Sequence, residues 1–461
     1  MFKNSNVFSI KRRVFMSGRL IFTFVSLADR FDENGAATYG MQRLHLAVHK
    51  HDIPITWIVS SGSAPFQKEM ITEWHEIYQD EIALSLSKIP AEASRSVEAM
   101  KRHIESERDK VAEFFPWSKL NIAGSGHQSE IVLKALEELG FDGIWGFCWE
   151  QIEVDNITDR GCPWGFYYLD PDNRLAPSRK PRKLVGIEWT SRDLCKAHHS
   201  GNPCIYSSDP NDVIRAGLCS YSDIEYWKRF IDAYHSNVLY NQNDIYFIQQ
   251  QESHEMECSP LCGTYTDEDG KEAAQVLDNF LTYVKTLPHV EFMNLSQAVE
   301  NYKKENPNSV PGTFMYFEDI PLPPEKHNLD YFRGTPLGPW PDTFLFFDRD
   351  CQMIFIRGQF QPECLRNYVG GKPEDYFAET HIPPVQFISE KKTARTIELE
   401  FKIDSERAMP FGTCFWRDYR PYFLSEGVGI LDYKIIRKEL IFFRFDLKRG
   451  ENFFRVKLSR K

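Results

Sequence analysis

The segment EIVLKALEELGFDGIWGF, residues 130–147, contains one complete helix-to-strand unit. Glu130–Leu139 is amphipathic and stops at Gly140, where a left-handed backbone ends a helix at little steric cost. Beyond Phe141 and Asp142, the run Gly143–Phe147 is short, apolar and not alternating. That is the pattern of a strand buried on both faces.

The same unit recurs on either side. Apolar runs at Leu20–Val25, Ile55–Val59, Glu81–Leu86, Leu120–Ala123, Leu184–Trp189, Ile245–Ile248 and Val290–Met293 are too short for helices. Amphipathic stretches such as Thr38–His51, Ala91–Phe115 and Gln275–Leu287 separate them. Strand, helix and parallel strand in repetition predict an α/β domain over residues 19–304, either a parallel sheet or a closed barrel. The irregular, aromatic stretch Glu150–Lys183 reads as a long loop on the C-terminal face of that barrel.

Downstream the pattern changes. Eight prolines among residues 303–342 predict a linker or strap over 305–342, because proline sustains neither a helix nor a central strand. Residues 343–461 carry apolar runs at short intervals, and Ile397–Ile403 alternates cleanly with Glu and Lys. An antiparallel, sandwich-like β domain with one wet face follows. Residues 1–18 read as a basic extension.

The whole chain has 461 residues and a net charge of −11. Residues 20–389 hold 33 basic and 55 acidic side chains, a charge of −22, which repels phosphate backbones and argues against a nucleic-acid partner. No apolar run approaches the ~20 residues that span a bilayer, so no membrane partner is expected. The ten cysteines in so long a chain do not read as a disulfide framework. Leu20–Leu27 lacks a small-residue cleavage site and reads as a strand rather than a signal core, which makes a cytoplasmic location the default.

In such barrels the residues just past each strand's C-terminal end converge on one face. Here they form a polar set: Asp29 and Asp32 after the first run, then His127, then Trp149, Glu150 and Gln151. Glu188, Trp189 and Asp193 follow the sixth run, and Gln251, Glu252, His254 and Glu255 follow the seventh. Carboxylates from different strands can act as general acid with base or nucleophile, which makes Asp29, Asp32, Glu188 and Glu252 the catalytic candidates. His127, Trp149, Glu150, Gln151, Trp189, Asp193, Gln251 and His254 are candidates for holding substrate. The bland alternative is that these carboxylates cap helices or pair with arginines.

No cofactor is firmly implied, although a divalent metal on His254 with Asp29 or Asp32 is chemically reasonable. His254, Cys258 and Cys262 are spaced by four, but Pro260 interrupts the helix that would align them. His45 and His49 read as an exposed helix face. Trp145, Trp149, Trp164, Tyr167, Tyr168 and Trp189 fit either a core or rings that stack on sugar near the mouth.

Residues Phe22–Phe24 (FTF), His51–Val59 (HDIPITWIV), Asp80–Leu86 (DEIALSL), Leu136–Phe147 and His289–Val299 (HVEFMNLSQAV) resemble, in order, the glycoside hydrolase/deacetylase superfamily. The resemblance implies a distorted (β/α)7 TIM-like barrel and a carbohydrate-active hydrolase. SLADRFDENGAATYGMQRLH, CWEQIEVDNITDRGCPWG, GIEWTSRDL and FIQQQESHEME resemble, more narrowly, a two-domain family of Bacteroides-type bacteria with no assigned reaction. Polysaccharide deacetylases of the superfamily carry paired aspartates after the first strand and two metal-binding histidines after the third. This chain has Val25–Ser26 and Leu84–Lys88 (LSLSK) at those places. Only His254 parallels a closing-strand histidine. The expectation is therefore a carbohydrate hydrolase that cleaves a glycosidic bond in preference to deacetylating. The rival is a non-catalytic glycan-binding or structural protein on the same barrel.

Overall fold

The computed structural model describes residues 18–30, 38–124, 129–147, 166–170, 173–178, 180–188, 209–215, 217–241, 244–257, 266–307, 345–348, 353–356, 385–405, 409–416, 422–430, 432–435 and 440–460. In chain order the first part runs β1 (Leu20–Leu27), α1 (Met41–His49), β2 (Ile55–Val59), α2 (Ala64–Tyr78), β3 (Glu81–Ser85), α3 (Val97–Phe114), β4 (Ile122–Gly124), α4 (Glu130–Glu138) and β5 (Gly143–Phe147). It continues with β6 (Phe166–Asp170), β7 (Asn173–Pro177), β8 (Val185–Glu188), α5 (Pro210–Arg215), α6 (Glu225–Asn241), β9 (Ile245–Glu252), α7 (Asp267–Val284), β10 (Val290–Phe292) and α8 (Leu295–Glu305).

One curled sheet joins these strands in the order β9-β1-β2-β3-β4-β5-β8-β6-β7. All pairings are parallel except those of β6 with β7 and β8. β1 is the central strand. Its whole length pairs with β9, while β10 takes Leu20–Phe22 and β2 takes Phe24–Leu27. The seven parallel strands β9, β1, β2, β3, β4, β5 and β8 make the distorted, curled α/β barrel expected from sequence, with β10 and the β6–β7 hairpin added to the same sheet.

Side chains alternate between two apolar layers. Ile21, Val25, Leu27, Ile58, Trp145, Ile187, Tyr246 and Ile248 fill the barrel, whereas Leu20, Phe22, Phe24, Trp57, Ile245 and Phe247 face the surrounding helices. Helix α8 closes the N-terminal end of the barrel by sending Leu295, Ala298, Val299 and Tyr302 into the inner layer. A capping box between Asn294 and Gln297 starts that helix.

The stretch read as a loop between Glu150 and Lys183 contains the β6–β7 hairpin. β6 runs antiparallel to β8, and Phe166 stacks on Tyr246 of β9 with centroids 4.3 Å apart. Among the described residues no backbone pairing joins β9 to β6, so rings close the seam. Tyr167 and Tyr168 are buried on this strand and Trp145 is buried on β5, so of their two readings these three rings take the core one. Trp149, Trp164 and Trp189 lie outside the described residues.

A second correction concerns His45 and His49. His49 is buried, stacks on Tyr78 and shares Asp80 with two donors, Ile55 N at 2.9 Å and Trp57 Nε1 at 2.6 Å. Asp80 is fully buried and ties α1 to β2, and such an acid requires partners like these. His45 stacks on Trp74 and touches His49. Burial, then the neighbouring His49, pushes its imidazole down to about 4, against the pull of Asp80. Between its ordinary value and about 4, the unfolded chain therefore takes up a proton that the folded one refuses. Stability is expected to fall as pH drops from about 6.5 to 4, by roughly 1–2 kcal/mol after discounting for partial exposure. Denaturant melts of His45→Gln and the parent chain at pH 7 and pH 5 check this, and the variant should lose less.

The C-terminal strands form three antiparallel groups. β11 (Leu345–Asp348) pairs β12 (Met353–Ile356). β13 (Val385–Lys392), β14 (Thr396–Ser405), β16 (Tyr422–Val428) and β19 (Gly450–Arg460) form a four-stranded sheet in the order β13-β14-β19-β16. β15 (Met409–Trp416), β17 (Asp432–Ile435) and β18 (Leu440–Leu447) form a three-stranded one. Ile397, Leu399, Phe401 and Ile403 are buried between partly exposed Glu and Lys, as the alternation predicts. β16 ends at Val428, just before Gly429, which takes a φ of +79° that favours glycine.

Candidate active site at the C-terminal mouth of the barrel

Of the sequence candidates that can be placed, Asp29, Glu252 and His254 gather where β1, β3 and β9 end. Asp29 lies two residues beyond β1 and is buried. Ser85, the last residue of β3, donates its hydroxyl to Asp29 Oδ2 at 2.6 Å. Glu252 closes β9 opposite Leu27, and alternation along the strand turns it inward with Tyr246 and Ile248. Its carboxylate oxygen Oε2 stands 3.2 Å from His254 Nε2 and 3.3 Å from an Arg30 guanidinium nitrogen. Arg30 also lies 3.0 Å from His254 Nε2. Since a guanidinium only donates, that nitrogen accepts and the imidazole proton sits on Nδ1.

Burial sets the electrostatics. It raises the Glu252 carboxyl above the usual range, with Arg30 opposing and the Asp29 charge adding to the rise. Burial likewise pushes His254 down to about 3, with Arg30 in the same direction and Asp29 against it. The neighbourhood thus holds a neutral imidazole and a carboxyl that keeps its proton more readily than a solvated one.

His254 is carried on a 3-10 turn, Ser253–Met256, fixed from several sides. Ser253 donates to the Leu27 carbonyl at 3.0 Å, Gly40 N donates to Glu257 at 2.9 Å, and Arg43 donates to the Met256 carbonyl. A Cβ on Gly40 would sit 1.8 Å from the Ser253 carbonyl oxygen, and one on Gly270 would sit 2.2 Å from that of Met256. Only glycine lets α1 and α7 approach the turn so closely.

Gln251 is fully buried, on the face of β9 opposite to Glu252, where its amide donates to Glu255 at 3.0 Å. It braces the turn from behind. Asn211 of α5 reaches the Glu255 carbonyl oxygen at 3.2 Å. Glu188 ends β8 with its backbone paired to Phe147. Asp32, His127, Trp149, Glu150, Gln151, Trp189 and Asp193 lie outside the described residues. Arg30 and Ser85 were not among the sequence candidates. A cation directly after a strand-end aspartate was the available signal for Arg30, whereas Ser85 gave none.

A divalent cation can be tested against the donors present. Glu252, His254 and Glu255 each bring a ligand atom within 4.8 Å of the others, and imidazole with carboxylates suits ions such as Mn²⁺ or Zn²⁺. The Glu252 and His254 donors, however, already face the Arg30 guanidinium. As the side chains stand, the set is filled by the chain's own cation and does not fit a metal. Of the two aspartates considered from sequence, Asp29 accepts from Ser85 and Asp32 lies outside the described residues.

A cavity of about 670 Å³ opens at the opposite, N-terminal end of the strands, beside His75, Trp117, Glu81, Asp142 and Lys303. Its polar walls are tied to one another: Ser296 N donates to Glu81, and Asn121 and Lys303 donate to Asp142. The convergent carboxylates of the mouth are absent from it.

No family model matches the chain, and no curated protein matches its sequence. The narrower resemblance to a two-domain bacterial family therefore stays an expectation. Solved structures are similar at low identity. One described as a glycoside hydrolase/deacetylase from Parabacteroides distasonis is 11% identical, with 64% of this chain and 75% of that one covered, at a TM-score of 0.45. Polysaccharide deacetylase structures from Pseudomonas aeruginosa PAO1 and Mycobacterium smegmatis are 12% and 13% identical. They cover 63% and 66% of this chain and 93% and 95% of their own, at TM-scores of 0.43 and 0.40. At such scores the likeness carries no argument about chemistry. The chain is similar to structures of the glycoside hydrolase/deacetylase superfamily, and its own side chains must say the rest.

Proposed function

We propose that this protein is a carbohydrate-active hydrolase that cleaves a glycosidic bond at the C-terminal mouth of its barrel. The observation that carries this reading is the meeting of two buried carboxylates, Asp29 and Glu252, on the adjacent strands β1 and β9. Their surroundings differ. Asp29 accepts a 2.6 Å hydrogen bond from Ser85, whereas burial favours the protonated form of Glu252. Two carboxyls in unlike environments are what acid-and-base or acid-and-nucleophile chemistry requires.

In this scheme Glu252 gives its proton to the leaving glycosidic oxygen. Asp29, oriented by Ser85, either attacks the anomeric carbon or activates water. Arg30 steadies Glu252 once that carboxyl is anionic, and neutral His254 orients both. If Asp29 attacks, water deprotonated by Glu252 then displaces Asp29 from the anomeric carbon, which frees the sugar and reprotonates Glu252; if Asp29 activates water instead, it releases the proton it takes to solvent while Glu252 regains one. A neutral glycan suits the acidic body of the chain better than a nucleic acid does. Among the described residues no helix is long and apolar enough to cross a membrane. We also propose the division into an extension (1–18), barrel (19–304), strap (305–342) and β domain (343–461), with the β domain bracing the barrel or holding glycan.

Purified protein assayed on aryl glycosides and acetylated oligosaccharides tests the reading. Release of the aglycone supports it. Release of acetate alone replaces glycosidic cleavage with deacetylation, and glycan binding without turnover favours the non-catalytic rival.

A further inference from the structure

We infer that Arg30 is the built-in counter-cation of the Glu252–His254 pair and that its guanidinium keeps a divalent metal ion out of the Glu252–His254–Glu255 cluster. This goes beyond the hydrolase reading, because it concerns what the cluster binds whether or not a sugar is cleaved.

The geometry is that of a cation site already in use. Two donors each ~2.1 Å from one ion, at angles of 90–110°, stand roughly 3.0–3.4 Å apart. Glu252 Oε2 and His254 Nε2 are 3.2 Å apart, and Glu255 brings a third ligand atom within 4.8 Å. The Arg30 guanidinium lies 3.3 Å from the first and 3.0 Å from the second. The lone pair on Nε2 that accepts from Arg30 is the one a metal needs. Guanidinium and metal are therefore mutually exclusive.

Burial makes the arrangement one-sided. The side chains of Glu252 and His254 are only 7% and 5% exposed, whereas that of Arg30 is 45% exposed. The acceptors are fixed and the cation has a way out to solvent. Arginine does not lose its charge at any ordinary pH, so it serves as a permanent plug. Glu255 is held by Gln251 at 3.0 Å, which keeps the third donor in place when Arg30 is gone. Removing the guanidinium frees the ligand atoms of Glu252 and His254 beside Glu255, and a divalent ion displaces the Glu252 proton more readily than a monovalent one does.

The full chain titrated with Mn²⁺, with free ion read by electron paramagnetic resonance, tests this without any turnover. Mn²⁺ is the suitable probe because the ten cysteines compete poorly for it. Arg30→Ala is expected to bind one Mn²⁺ at least ten-fold more tightly than the parent chain, and the Arg30→Ala/His254→Ala double variant to lose that gain. Arg30→Gln, closer in size and uncharged, should show the same direction and serves if the alanine variant melts early. Equal affinity in the parent and both Arg30 variants overturns the inference, as does a gain that survives loss of His254. A chain that cleaves no glycoside but shows the Arg30-dependent site retires the hydrolase reading alone. Turnover with no change in Mn²⁺ binding retires the plug alone.

Discussion

Glu252→Gln is expected to lower kcat/KM on a responsive glycoside by 10²–10⁴-fold, about the contribution of a positioned general acid, while leaving the fold intact. Glutamine keeps the volume and the neutral charge of protonated Glu252, so packing against the inner layer is preserved. What it loses is the transferable proton. The deficit should depend on the leaving group. An activated aryl group departs without much protonation, so the loss shrinks for nitrophenyl glycosides and is full for plain oligosaccharides. Asp29→Asn removes the anion held by Ser85 and should cost as much on both substrate types. Turnover unchanged in Glu252→Gln, or a loss independent of the leaving group, removes Glu252 from the acid role.

Gly40→Ala is expected to destabilise the barrel by at least ~3 kcal/mol, more than a left-handed glycine alone accounts for. Gly40 has φ +72°, and its added Cβ would meet the Ser253 carbonyl oxygen at 1.8 Å. Gly140 provides the matched control, because it has φ +79° and nothing within 4 Å of the corresponding Cβ. Gly140→Ala should cost only the backbone term of about 1–2 kcal/mol. Denaturant midpoints of the two variants give the difference directly. Gly40→Ala should also depress activity, since the atom it strikes belongs to the turn that carries His254. Equal midpoints for the two variants would show that the turn yields freely.

Local patterns made the barrel legible. Each apolar run read from sequence up to residue 293 overlaps a strand, because burial on both faces writes itself into consecutive residues. The β6–β7 hairpin escaped because no helix separates it from its neighbour and its direction is set by a seam distant in sequence. FYYLD is aromatic for the same reason: Phe166 and Tyr168 fill the inner layer that a backbone pairing would otherwise close. The gathering of Asp29, Glu252 and His254 at one end of the barrel was legible, because the strand-end rule applies to them. Ser85 was not, since its value depends on β3 lying near β1 in space, 56 residues along the chain from Asp29. His49 was misread for a related reason. Its partner Asp80 sits 31 residues away, on an element whose packing the helix alone does not announce.

The central position of β1 also bears on how the chain is made. Its partner β9 begins 225 residues later, at Ile245 opposite Leu20. At about 5–20 residues per second a ribosome needs roughly 11–45 s to deliver that partner. For that interval LIFTFVSL, buried on all its residues in the finished fold, is a strand with an open edge. β1 leaves the exit tunnel well before β9 and is thus among the last strands of this sheet to be sealed. Slowing elongation before residue 252 should therefore raise the fraction of the protein that aggregates.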